Sequence, residues 1–171
     1  MFVILKLILF QTGKHGDLYV LVVFGNILCL LMTMIFGIYS WKKVHPEKRG
    51  YTDDVKITMQ SAAYYLILVS AFSYLYYSTI DKNFVQQRVE ERVEIARKAD
   101  FEELKKQNPE KLQDKTREDF IDDEKEQAEL WFSPFFLSTM VLVGGMIMAF
   151  FYSLVIAWGW RKFFENQLIR K

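Results

Sequence analysis

Residues 18–41 read LYVLVVFGNILCLLMTMIFGIYSW, with no Asp, Glu, Lys or Arg among them. Asn26, Thr33 and Ser40 are the few polar side chains in the stretch. A helix needs ~20 predominantly apolar residues to cross a bilayer, so this run is long enough to span one. Lys42-Lys43 closes it, and His45-Pro46 opens a loop. Two further runs follow the same rule. Residues 57–80 (ITMQSAAYYLILVSAFSYLYYSTI) carry no charge and place tyrosines towards both ends, where the phenol suits the membrane–water interface. Residues 131–160 form the third, ~45 Å if wholly helical against a hydrocarbon core of ~30 Å, so its ends reach the interfaces or it tilts.

These runs change the meaning of the averages. The chain has 171 residues, is 51% hydrophobic and 25% charged, and carries a formal net charge of +1. Its mean hydropathy of +0.04 is that of a soluble domain, yet the charges are excluded from three long segments. The near-neutral balance argues against a nucleic-acid partner, which would call for a basic excess.

The expected fold is an all-α membrane protein: three long transmembrane helices, a short N-terminal apolar helix that makes a fourth span if it inserts, and a helical periplasmic insertion. The segments are 1–12, short apolar helix; 18–41, span; 42–56, basic loop; 57–80, span; 81–130, acidic helical segment; 131–160, span; 161–171, basic tail. Phe2–Phe10 lacks the basic start and cleavage site of a signal peptide. The loop carries Lys42, Lys43, Lys48, Arg49 and Lys56, and the tail Arg161, Lys162, Arg170 and Lys171. The positive-inside rule sets both in the cytoplasm and the acidic segment outside.

Within 81–130 the pattern remains helical. Val85, Val89, Val93 and Ala96 share one helical face, which the spacing offers as an external partner face or as packing for the bundle. Asp100 with Glu103 reads as a capping box, Asn108-Pro109 as a break, and Phe120, Ile121 and Leu130 as the docking residues of a third short helix. Thr52 is an expected N-cap for the second span, and Ser133-Pro134 the N-cap and first residue of the last.

Two stripes of small residues recur every four positions: Gly25, Cys29, Thr33 and Gly37, and Gly145, Ala149, Ser153 and Ala157. Lipid supplies no hydrophobic drive for helix association, so close backbone approach along such stripes does that work. They are expected to pack against each other or to hold another subunit. Reactive chemistry is sparse. Cys29 is the one cysteine, too few for a disulfide or a cysteine-rich zinc site. His15 and His45 fall on opposite faces of the expected topology. No ionisable acid, base or histidine lies within the three runs, where pumps and ion-coupled transporters usually have them. No catalytic residue, metal or cofactor is therefore expected.

Several features resemble a bacterial family of small membrane proteins catalogued as a domain of unknown function, number four-one-nine-nine. These are Gly37-Ile38-Tyr39 before a basic loop, Tyr76-Tyr77-Ser78-Thr79-Ile80-Asp81 followed by Phe84-Val85, and Gly144-Gly145 with Tyr152-Ser153-Leu154-Val155-Ile156-Ala157. The resemblance implies a four-helix inner-membrane protein of Gram-negative bacteria, here with a first helix cut to Phe2–Phe10. It also suggests a membrane glycosyltransferase as partner, since genes of the family tend to neighbour such enzymes. The expected function is a non-catalytic accessory or scaffold subunit of a membrane complex, or a homo-oligomer. The alternative is a small lipid- or polyprenyl-binding module, suggested by Tyr64, Tyr65, Phe72, Phe150, Phe151 and Tyr152.

Overall fold

In the computed structural model the core of each charge-free run is one long helix, and the third run enters its helix at Pro134, after Trp131 has closed the helix before it. The structure describes residues 19–46, 50–112 and 114–165. The short N-terminal segment, Lys48-Arg49 and the last residues of the tail lie outside these. Among the described residues there is no β-strand. Helix α1 is Tyr19–Val44, α2 Tyr51–Leu75, α3 Lys82–Lys98, α4 Phe101–Gln107, α5 Pro109–Leu112, α6 Arg117–Trp131 and α7 Pro134–Trp160. Three segments, Val22–Val44, Tyr51–Ile80 and Pro134–Phe164, are long and apolar enough to cross a membrane. The chain divides into two units, 1–72 with 140–171, and 73–139.

The first unit is built from most of α1, α2 and α7. Its centre is Leu30 and Met34 of α1, Ala62 and Leu66 of α2, and Ala149 of α7. A second cluster joins Val22 to Val69 beside Cys29, Phe72 and Val141, and Tyr65 touches both clusters. The buried residues trace one stripe per helix at offsets of three and four: Leu30, Met34 and Ile38 on α1; Asp54, Thr58, Ala62, Leu66 and Val69 on α2; Ala149, Ser153, Ala157 and Trp160 on α7. The outward faces carry large apolar side chains, among them Phe24, Phe36, Leu68, Phe151 and Val155. In water such surface would be a liability; in lipid it is the ordinary exterior of a spanning helix.

The second unit is polar, and its helices are specified by their caps. Asp81 accepts from the Phe84 amide at 3.2 Å and starts α3. Asp100 accepts from the amides of Glu102 and Glu103 and starts α4. Thr116 and Asp119 form a reciprocal capping box at the head of α6. Helix α3 packs along α6, with Ala96, Phe101, Leu112 and Ala128 buried, and Phe101 lies against Phe120 at 5.8 Å between ring centroids. Small alanines at the α3–α6 contact let two heavily charged helices approach. Ser133 caps the start of α7 through the Phe136 amide, as its sequence position predicts.

Three local expectations change. Helix α2 begins at Tyr51, with the Asp54 amide bonded to the Gly50 carbonyl at 3.2 Å, so Thr52 lies inside the first turn rather than capping it. Leu130 is exposed, and Ala128 supplies the buried contact of α6 in its place, because only positions facing α3 are covered. The end of α2 is a π-helical turn, Tyr76–Ile80, closed by the Asp81 amide on the Tyr76 carbonyl at 2.9 Å. Ser78 and Thr79 turn their hydroxyls onto the Leu75 carbonyl at 3.2 and 2.5 Å, the kind of side-chain competition that loosens the α-helical ladder.

Candidate functional site

The most distinctive chemistry of the spanning bundle is at the head of α2. The buried stripe Leu30, Met34, Ile38 extends by one further turn to Lys42, and the stripe Leu66, Ala62, Thr58 extends back to Asp54. The Lys42 ammonium and the Asp54 carboxylate meet at 2.7 Å, with side chains 9% and 0% exposed. One turn of α2 therefore places a charge against the end of α1. From the same turn, the Tyr51 hydroxyl donates to the Leu154 carbonyl of α7 at 3.1 Å. The first turn of α2 is thus bonded to both neighbouring helices. Deeper in the bundle, the Tyr65 hydroxyl donates to the Asn26 side-chain oxygen at 2.6 Å, a second polar tie between α2 and α1. Thr58 returns its hydroxyl to the carbonyls of Asp54 and Val55 at 2.8 and 2.9 Å, so its polar group is satisfied within α2.

These contacts orient helices. A buried ion pair is weak evidence of net stability, because desolvation offsets much of the attraction, but breaking it strands a charge in a dry place. The pair and the tyrosine bonds fix which side of α2 faces which neighbour and in what register. Sequence reading noted Lys42 as a topology charge and missed its union with Asp54. The signal was present: both lie at four-residue spacing from the buried stripes of their own helices.

The small residues occupy the same bundle. Ala149, Ser153 and Ala157 are fully buried, and Ser153 closes its hydroxyl onto the Phe150 carbonyl at 2.7 Å. Gly37 and Gly145 each approach α2. A Cβ on Gly37 would stand 2.0 Å from the Ser61 hydroxyl, and one on Gly145 2.4 Å from a Leu66 methyl. At these two positions the nearest side chains belong to α2 rather than to the opposite small-residue stripe. Gly25, Cys29 and Thr33 are half-buried beside the larger stripe of α1, and Thr33 bonds to the Cys29 carbonyl at 2.8 Å.

In the second unit, Val85, Val89 and Val93 are half-buried on the face of α3 that carries buried Ala96. A cleft of about 480 Å³ opens beside α3, α4 and α6, with Ile95, Leu104, Leu112 and Phe120 among its walls. Arg92 bonds Glu124 at 2.9 Å across it, and Lys115 bonds Asp123. Its charges are matched by each other. Among the described residues there is no group of three His, Cys, Asp or Glu side chains placed to hold a metal. His45 stacks on Trp41 with ring centroids 5.1 Å apart.

A family model described as a protein of unknown function, DUF4199, matches residues 1–162. The chain belongs to this family. The match covers α1 to α7, and so reaches all three spanning segments. No curated protein and no solved structure matches the chain.

Proposed function

We propose that the chain is a non-catalytic accessory or scaffold subunit of an inner-membrane protein complex, with a membrane glycosyltransferase as the partner suggested by the family resemblance. In this reading α1, α2 and α7 cross the membrane with the Lys42–Lys56 loop and the tail in the cytoplasm. The unit 73–139 stands in the periplasm, and residues 1–12 add a short first helix.

One observation carries the reading. The polar groups of the bundle are used between its own helices, in Lys42–Asp54, Tyr51–Leu154 and Tyr65–Asn26. Transport or catalysis would place such groups towards a substrate, whereas a scaffold places them to hold helices in register. The large apolar side chains on the outward faces supply surface for lipid and for a partner's helices.

Purification from native membranes in mild detergent, after in-membrane cross-linking, tests the role. The expected result is a co-purifying membrane protein. A lone monomer with no partner overturns the reading. Single cysteines in a Cys29→Ser background test the topology: Glu110→Cys should react with an impermeant maleimide from outside, and Lys43→Cys only after permeabilisation.

A further inference from the structure

The cleft of about 480 Å³ in the second unit is a groove between two antiparallel helices. Arg92 of α3 meets Glu124 of α6, and the Arg117 guanidinium donates to the Arg97 carbonyl at 2.6 Å, so residue numbers fall along one helix as they rise along the other. Arg92, Ile95 and Ala96 form the α3 wall, and Phe120, Asp123 and Gln127 stand on the α6 wall. Each set follows offsets of three and four, one stripe along each helix. Leu104 and Leu112 join the lining from α4 and α5. Ile95 is 61% exposed. The other exposed large apolar side chains described in this unit lie in a spanning segment or one turn away from it, so lipid accounts for them and not for Ile95.

Charge narrows what fits there. Helix α6 carries seven acids against two bases, Arg117 and Lys125. Asp119, Asp123 and Glu126 follow at offsets of four and three, an acidic strip that begins at the cleft wall and runs along its rim. Ala128, which α6 buries, lies roughly 140–180° around the helix from each of them, so the strip is on the side away from α3. On α3, Arg88, Arg92 and Lys98 each hold a carboxylate, and Lys115 holds Asp123. On α4, Lys105 and Lys106 are matched by Glu102 and Glu103. Glu126 forms no ion pair among the described residues.

We infer that this cleft receives a basic amphipathic helix of a partner protein. Its apolar stripe would lie against Ile95, Leu104, Leu112 and Phe120, and its lysines or arginines over Asp119, Asp123 and Glu126. An amphipathic helix lays apolar residues at this spacing into such a groove, and opposite charge along the rim fixes its register. The same acids repel an anionic membrane surface. A second copy of this chain, docked symmetrically on the same face, would set acidic strip against acidic strip. The inference rests on the accessory reading for the existence of a partner, and adds where and by what chemistry that partner is held.

The test is photocrosslinking of the full chain in native membranes, with the photoreactive p-benzoylphenylalanine in place of Gln127 in the cleft wall. Glu90, roughly 120–160° around α3 from the cleft wall, is the control position. From Gln127 the expected adduct joins a second protein, through a segment with apolar residues at offsets of three and four and an excess of Lys and Arg. The control position should not give it. With the photoreactive group at Gln127, Ile95→Gln and Glu126→Lys should each lower the yield several-fold. Glu90→Lys, the same change of charge elsewhere, should leave it unchanged. Ile95, Glu126 and Glu90 are exposed, and unchanged amide exchange in 82–98 and 117–131 confirms that the variants fold. An adduct with a second copy of this chain, with lipid alone or with a segment lacking a basic excess overturns the inference. So does a yield that either Ile95→Gln or Glu126→Lys leaves unmoved. A partner that co-purifies while Gln127 gives no adduct overturns it and leaves the accessory reading standing; a lone monomer overturns both.

Discussion

The two units of the chain solve the placement of polar groups in opposite ways. In the bundle, an ion pair and two tyrosine hydrogen bonds run from helix to helix: Lys42 to Asp54, Tyr51 to the Leu154 carbonyl, Tyr65 to Asn26. In the 73–139 unit most ionic contacts are exposed, and two stay within one helix, Arg88 with Glu91 and Glu94 with Lys98. The difference teaches what each pair is for. An exposed pair is screened and contributes little, so helices there rely on caps and a few buried residues. A buried pair penalises every arrangement that separates it, so it selects one register among several that lipid-facing surfaces would tolerate.

The strongest way to break this contrast is at Asp54. Asp54→Leu should deprive the buried Lys42 ammonium of its carboxylate and destabilise the bundle by about 3–5 kcal/mol. The double change Lys42→Met with Asp54→Leu should recover most of that loss, since volume-matched apolar replacement of a buried pair is often neutral. Unfolding of purified protein in detergent and SDS mixtures measures both. Equal damage from the single and double changes would show that the pair acts through something other than its charge.

The glycines sharpen the contrast within the bundle. Gly37→Ala would set a Cβ 2.0 Å from the Ser61 hydroxyl and 2.7 Å from its Cβ, against a short side chain anchored to α2. About 1–3 kcal/mol of destabilisation is expected. For Gly145→Ala the nearest atoms are the methyls and Cγ of Leu66, a flexible side chain that can rotate away, so its cost should be smaller. Gly144→Ala meets nothing within 4 Å and should be neutral or stabilising by up to about 1 kcal/mol through helix propensity. The same denaturation assay ranks the three. A Gly144 variant as damaged as the Gly37 variant would mean that the outward face is covered by a second chain.

How much of this was legible follows from what each signal depends on. The three spans were legible because exclusion of charge over a long stretch has no cheaper explanation. Asp81 and Ser133 stand where polar residues precede helical patterns, and Ser133-Pro134 was read correctly as a helix start. The Thr116–Asp119 box went unread, because a run of acids hides which one turns back to bond its own cap. The Lys42–Asp54 pair went unread for a different reason. Membrane logic assigns terminal charges to water or headgroups, and only the stripe geometry shows that these two point inward. The partner of Gly37 was also beyond reach, since spacing shows that a face is small and says nothing of which helix comes to it.

In the 73–139 unit the corresponding break is at a cap. Thr116→Ala removes the hydroxyl that accepts from the Asp119 amide at 3.2 Å and donates to its carboxylate at 2.7 Å. A loss of about 1 kcal/mol is expected, felt as faster amide exchange in 117–131 with the 51–72 peptides unchanged. Spread of the effect into the bundle would show that the two units unfold together.

The smallest effect is that of pH on the same helices. Backbone and hydroxyl hydrogen bonds from Thr116 hold the Asp119 carboxyl below its ordinary range. The hydrogen bond and charge of Lys98 do the same for Glu94. A carboxylate whose folded pKa lies below its unfolded value contributes stability above the unfolded value and loses it as pH falls through the folded one. Unfolded Asp and Glu titrate near about 4, so the contribution is intact at neutral pH and fades from about pH 5 downward. Both groups are exposed, and solvent and salt screen what they contribute. Exchange measured by mass spectrometry at several acidic pH values, corrected for intrinsic rates, should show peptides from 82–98 and 117–131 losing protection before peptides from 51–72. Asp119→Asn should flatten the change in 117–131 alone. If the bundle peptides open first instead, the acid response is not carried by Asp119 and Glu94.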